Sequence, residues 1–164
     1  MGAFPDTLLD ATSNGGATWT QQVALPQAGG TWAEMVFTDM AHGVLAVSGK
    51  GGPTLSATAD GGARWTVLQR LPATTSVQAL DFLNTQQGWM VVEVQHADAQ
   101  LWSTTDGGST WSVAPLAVPQ GSLPLLAIGN ILRLDFVNAQ DGWLLGGNAL
   151  LQTTDGGRQW TALT

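Results

Sequence analysis

Cysteine is absent from the 164 residues, and so is tyrosine. The first absence excludes disulfides, thiol nucleophiles and cysteine-ligated metal centres. It selects no compartment, because a thiol-free chain tolerates oxidising and reducing surroundings alike. Basic residues are almost as scarce: five Lys and Arg stand against twelve Asp and Glu, a net charge of −7. A nucleic-acid binder needs grouped cations to displace counterions from phosphates. The five form no group, so nucleic acid and anionic membrane surfaces are set aside as partners. Long apolar runs are missing too. None reaches the ~18 residues of a membrane-spanning helix, and no membrane insertion is expected. Residues Met1 to Asp6 hold neither a basic nor an apolar stretch, so they do not read as a signal peptide. Charged residues make up 10 % of the chain, and helix-forming runs of Ala, Glu, Lys and Leu are absent.

What is present points to tight turns and strands. Glycine is abundant at 21 residues and the apolar fraction is 44 %, enough for a packed core. That balance fits an all-β protein better than a helical or disordered one. Four segments repeat: Ala11 to Trp19, Ala57 to Trp65, Ser103 to Trp111 and Gln152 to Trp160. Each runs through Asn or Asp followed by Gly-Gly, and each ends on Trp. The closing tryptophans are 46, 46 and 49 residues apart. Between them a second motif recurs: Met35-Val-Phe37-Thr-Asp39, Leu80-Asp-Phe82-Leu-Asn84 and Leu134-Asp-Phe136-Val-Asn138. It is followed by His42-Gly43-Val44, Gln87-Gly88-Trp89 or Asp141-Gly142-Trp143. Apolar residues alternate on both sides of that turn, as in half-buried hairpins.

Each period therefore holds four strands, A to D, and four-stranded units of about 40–50 residues are propeller blades. The reading is a single all-β propeller segment of antiparallel blades. It divides into a half blade of strands C and D over 7–24 and three blades over 32–70, 76–115 and 129–164. That is three and a half blades, where closed propellers have ~4–8. Unclosed strand edges are an aggregation hazard. The phase predicts a piece of a larger propeller or a chain that closes with another copy.

The Gly-Gly pair is needed because the C–D turn uses backbone conformations closed to other residues. Asn14, Asp60, Asp106 and Asp155 are placed to accept hydrogen bonds from the turn's own N–H groups. Trp19, Trp65, Trp111 and Trp160 are expected to wedge against neighbouring strands. These eight residues are read as staples of the blades, not as catalytic or metal sites. The A–B and C–D turns share one end of a meander and are uniform. The other end carries the variation. There 25 residues separate Trp111 from Phe136, against 18 and 17 in the other repeats.

The excess at 115–130 includes Leu116, Val118, Leu123, Leu125, Leu126 and Ile128. It either folds back over the barrel end or meets a partner. Binding is expected at that end, with Trp32, His96, Asp98, Leu123, Leu125 and Leu126 as candidates. Trp32 is placed to stack on a sugar or anchor a protein, or simply to pack at an edge. Glu93, His96 and Asp98 hold ligand types for a metal, but a solvated loop explains them as well; no metal or cofactor is expected. Strand A lies innermost, so Asp81, Asp135 and Arg133 converge toward a central channel. They form a structural ion cluster or a glycosidase-type carboxylate pair, the latter requiring ~5–9.5 Å between carboxyls.

The repeats resemble the Asp-box, or bacterial neuraminidase repeat, superfamily of sialidases, xyloglucan-cleaving glycosidases and sortilin-type receptors. The fuller pattern, F-x-[DN]-x(3)-G-W followed by T-T-D-G-G-x-x-W, is most similar to photosystem II stability/assembly factor-like proteins. The resemblance covers essentially the whole chain. It implies a seven-bladed, non-enzymatic scaffold for other proteins, or, alternatively, a carbohydrate-binding or glycoside-hydrolase-like propeller. A sialidase would need a Tyr nucleophile and three Arg on the substrate. This chain lacks Tyr, Arg64 and Arg158 lie in the repeated turns, and Arg70 and Arg133 make no triad. The basic patch of some assembly factors is also missing. The expectation is a non-catalytic, extracytoplasmic scaffold that binds a protein or closes on itself, with a glycan as the other ligand.

Overall fold

The computed structural model describes residues 9–21, 33–95, 99–119, 131–146 and 149–163. Among them there is no helix, and every strand is antiparallel to its neighbours. Two compact units, Met1–Ala73 and Thr74–Thr164, divide the chain. The first holds a two-stranded piece, β1 (Asp10–Ala11) and β2 (Thr20–Gln21). It also holds a four-stranded sheet of β3 (Ala33–Phe37), β4 (Gly43–Val47), β5 (Thr54–Thr58) and β6 (Thr66–Arg70). The second holds β7 (Thr75–Phe82), β8 (Gly88–Val94), β9 (Gln100–Thr104) and β10 (Ser112–Pro115), followed by β11 (Ile131–Phe136), β12 (Gly142–Gly146), β13 (Ala149–Thr153) and β14 (Thr161–Leu163). Each four-stranded sheet is a meander in chain order, the plan of a propeller blade.

The local sequence sets the register. Phe37 pairs with Gly43, Phe82 with Gly88 and Phe136 with Gly142 across the A–B hairpins. A β-carbon on Gly88 or Gly142 would lie 2.6 Å from the facing Phe ring, so only glycine allows the ring to lie flat there. Asp39, Asn84 and Asn138 cap the same turns. Asn84 Oδ1, for one, accepts from the backbone N–H of Gln86 and Gln87, both at 2.9 Å. In β7 and β11 one extra residue bulges at the same place, between Val77 and Ala79 and between Ile131 and Arg133. Such bulges bend and twist the strand that carries them.

Within the second unit one core joins the two blades. Ala79, Trp89, Val91 and Leu101 of the first blade pack with Leu134, Phe136, Leu144 and Leu151 of the next. Leu116 belongs to this core, with Val118 packed beside it. The start of the 115–130 stretch is thus folded back, and Ala117 O accepts from Trp160 N at 3.2 Å. In the first unit Leu45 and Val47 are buried with Trp65 against them.

Candidate functional site

The four Gly-Gly turns are built alike. Both glycines take positive φ, for example 73° at Gly107 and 87° at Gly108. The carboxylate or amide oxygen accepts from the N–H four residues on: Asn14 from Thr18 (2.9 Å), Asp60 from Arg64 (2.8 Å), Asp106 from Thr110 (2.9 Å) and Asp155 from Gln159 (2.9 Å). A threonine two residues earlier completes each turn. Thr12, Thr58, Thr104 and Thr153 donate a hydroxyl to the Asn or Asp and accept the N–H of the second glycine at 2.9 Å. The sequence reading assigned no role to these threonines, although Thr stands two residues before the Asn or Asp in all four repeats.

Hydrogen bonds that favour the charged form hold these carboxyls below the usual range. For Asp106, led by the Thr110 hydroxyl, the pKa falls to about 2. For Asp60 and Asp155 the leading cause is the backbone N–H of Arg64 and Gln159. All four polar groups are spent on their own turn. The turns also clasp the A–B hairpins: Gly61, Gly107 and Gly156 N–H donate to Ala41, Gln86 and Gln140 O at 2.8, 2.9 and 2.9 Å.

The tryptophans differ among themselves. Trp65, Trp111 and Trp160 each meet Phe37, Phe82 or Phe136 edge-on, with ring centroids 6.1 Å apart. Trp19 is 63 % exposed, so the expectation that every repeat's Trp wedges among strands fails there. Among the described residues no Phe meets this indole, as Phe37, Phe82 and Phe136 meet the others.

Asp135 and Arg133 both fall within electrostatic reach of Asp81. Burial pushes the Asp81 carboxyl up; the Phe136 N–H opposes this, Asp135 raises it further, and the Phe82 N–H and Arg133 lower it. Its Oδ2 accepts from Phe136 N at 2.7 Å. Asp81 thus ties β7 to β11, while Asp135 and Arg133 are exposed.

Trp32, His96, Asp98, Leu123, Leu125 and Leu126 lie outside the described residues. Glu93 Oε2 accepts from Gln78 Nε2 at 3.1 Å. No group of three potential metal ligands occurs among the described residues. His42 Nδ1 lies 2.8 Å from Asp39 Oδ2 and forms an exposed ion pair of the A–B turn when protonated. Trp102, half-buried, donates from Nε1 to Gln100 Oε1 at 3.0 Å.

A groove of about 560 Å³ opens between the blades of the second unit. Its wall includes Gln87, Trp89, Ser103, Val113, Gln140 and Arg158. It runs along the outer strand β10, which is exposed throughout and, among the described residues, pairs only with β9. The groove sits at the short, uniform turns and includes none of the residues where the sequence reading expected binding.

No protein-family model matches the chain, and no curated protein is detectably similar to it. Solved structures are. A structure of YCF48 bound to a D1 peptide is 27 % identical with a TM-score of 0.58, covering 79 % of this chain and 39 % of that one. The GH74 enzyme of Niastella koreensis is 18 % identical with a TM-score of 0.54, covering 84 % and 23 %. The GH74 xyloglucanase of Xanthomonas campestris is 17 % identical with a TM-score of 0.51, covering 84 % and 22 %. The GH74 likenesses are of fold alone. The chain spans about two fifths of the YCF48 chain and about a fifth of the enzymes. It is a β-propeller chain related to the photosystem II assembly factor-like proteins that its repeats resemble.

Proposed function

We propose that the chain is a non-catalytic, extracytoplasmic scaffold that binds an extended segment of another protein. The similarity to YCF48, solved with a peptide bound, carries this reading. One described face suits it, the groove along β10, where a free strand edge offers backbone hydrogen bonds to an extended peptide and Arg158 lies on the wall. The other candidates are those read from the sequence, Trp32, Leu123, Leu125 and Leu126, which lie outside the described residues. A glycan-acting propeller has only the fold in its favour. Asp81, its first candidate carboxylate, is already engaged by Phe136 N–H.

The experiment is selection from a random-peptide display library, followed by fluorescence anisotropy on the enriched peptides. Specific binders in the range of about 1–100 µM are expected. Val113→Glu with Arg158→Glu abolishes binding if the groove is the site; Leu125→Asp with Leu126→Asp abolishes it if the loop end is. No enrichment over an unrelated propeller defeats the reading, and specific binding on a glycan array replaces it with the carbohydrate one.

A further inference from the structure

The first Gly-Gly turn differs from the others in one chemical group. Where they carry Asp60, Asp106 and Asp155, it carries Asn14, and Gly15 follows. Asn14 is the one asparagine in the sequence that precedes a glycine. That order matters chemically. The backbone nitrogen after an asparagine can attack the side-chain amide carbon, and glycine puts no β-carbon in the way.

The turn prepares this step. Asn14 is exposed, as are Asp60 and Asp106 at the same position of complete blades. Access to water is therefore a property of the turn. Asn14 Oδ1 accepts twice, from the Thr18 N–H at 2.9 Å and from the Thr12 hydroxyl at 3.0 Å. Two donors on one carbonyl oxygen draw charge from its carbon and stabilise the negative oxygen of a tetrahedral adduct, as an oxyanion hole does. An aspartate fits the same frame. Asn14 Nδ2 donates to Thr18 Oγ1 at 2.8 Å. In the third turn Thr110 holds the place of Thr18 and donates its hydroxyl to Asp106 Oδ2 at 2.6 Å. With a carboxylate at position 14, Thr18 has only to turn its hydroxyl from acceptor to donor.

We propose that Asn14 is a site of spontaneous deamidation and that the turn steers the product to aspartate. The Gly15 nitrogen gives up its proton to solvent and bonds to Cγ of Asn14. The Cγ–Nδ2 bond breaks, and the nitrogen takes up a proton and leaves as ammonia. The chain then holds a five-membered imide, in which Gly15 N is bonded to both Cγ and the main-chain carbonyl carbon of residue 14. Water opens it at either carbon. Addition at Cγ restores the ordinary main chain and leaves aspartate. Addition at the main-chain carbon leaves isoaspartate, with one extra carbon in the backbone. The Thr12 and Thr18 donors sit on the Cγ oxygen, so they direct water to Cγ. The longer backbone would also part Thr12 Oγ1 from the Gly16 N–H that it accepts at 2.9 Å. The aspartate product gives all four turns a carboxylate and adds one negative charge to the net −7.

The test is incubation of the whole chain at mildly alkaline pH, followed by peptide mass spectrometry, with a synthetic peptide of residues 10–20 treated alike. No peptide ligand takes part, so the result does not depend on the scaffold reading. A gain of about 1 Da is expected at Asn14 and, over the same period, at neither Asn84 nor Asn138. Aspartate is separated from isoaspartate by chromatography, with Asn14→Asp as the standard, and its share is higher in the folded chain than in the peptide. Thr12→Val lowers that share to the peptide's, and Thr12→Ser, which keeps the hydroxyl, restores it. If Thr12→Val does not fold, the comparison of parent chain and peptide decides by itself. An Asn14 that stays intact while the peptide converts overturns the proposal. So does an aspartate share no higher than the peptide's, or one that a folded Thr12→Val leaves unchanged.

Discussion

At the scale of single residues, the threonines of the Gly-Gly turns matter as much as the aspartates they bind. Thr104 is buried, donates to Asp106 at 2.8 Å and accepts from Gly108 N at 2.9 Å. Thr104→Val should destabilise by about 1–3 kcal/mol, since a buried glycine N–H loses its acceptor; urea unfolding measures it. Thr110→Val removes an exposed partner of the same carboxylate and should cost less. Two carboxylates should leave opposite marks on pH dependence. Asp106 has a lowered folded pKa, about 2. Its contribution is complete above the unfolded value and is lost as pH falls through the window down to about 2. The Asp81 pKa is raised. Relative to the unfolded chain its burial therefore favours the protonated form, and stability is lost as pH rises from the unfolded value through the raised one. Asp81→Asn keeps an acceptor for Phe136 N–H without burying charge. It should match or exceed the parent in thermal stability at neutral pH and flatten that part of the profile, whereas Asp81→Ala should lose about 1–3 kcal/mol. The carboxylates were visible in the sequence because charge is conspicuous. The hydroxyls were overlooked because threonine is common, although its fixed spacing from the Asn or Asp was the available signal.

At the scale of elements, the A–B hairpin depends on a ring lying over a glycine. Gly88→Ala and Gly142→Ala should each destabilise by about 1–3 kcal/mol through overpacking, with the far-UV spectrum retained; thermal denaturation checks this. Gly157→Ala adds a positive φ of 86° and a collision with Leu101. It should be the worst tolerated of the three and should loosen the joint between the blades. The strands themselves were legible, because alternation, the Phe-to-Gly spacing and the Trp period all set the same register. The joint was not legible. It depends on which face of one sheet meets which face of the next, and alternation marks both faces of a doubly buried strand alike. That Asp81 and Asp135 hold the same position on successive strands A followed from the repeat. That Asp81 ties two blades together, rather than lying free in a channel, needed the distance to Phe136 N.

At the scale of the whole molecule, stability should be uneven. The second unit holds a continuous core from Ala79 to Trp160, while β1 and β2 are two residues each and mostly exposed. Native-state hydrogen exchange should find the slowest amides at Val91, Val92, Leu144 and Leu151, and near-immediate exchange at Thr20 and Gln21. Equal protection across the chain would contradict this. The propeller fold was read from the repeat before any coordinate; the groove along β10 was not, because it is the space left between two blades and no residue run encodes it. The pairing of Phe with Gly has a further consequence, for folding. It marks the correct register inside each hairpin and repeats unchanged in all three blades, so it cannot tell one blade from another. The errors open to this chain are therefore swaps, in which well-formed hairpins assemble beside the wrong neighbour. The residues that vary between blades, such as Glu34, Ala79 and Arg133 at one position, act as its addresses.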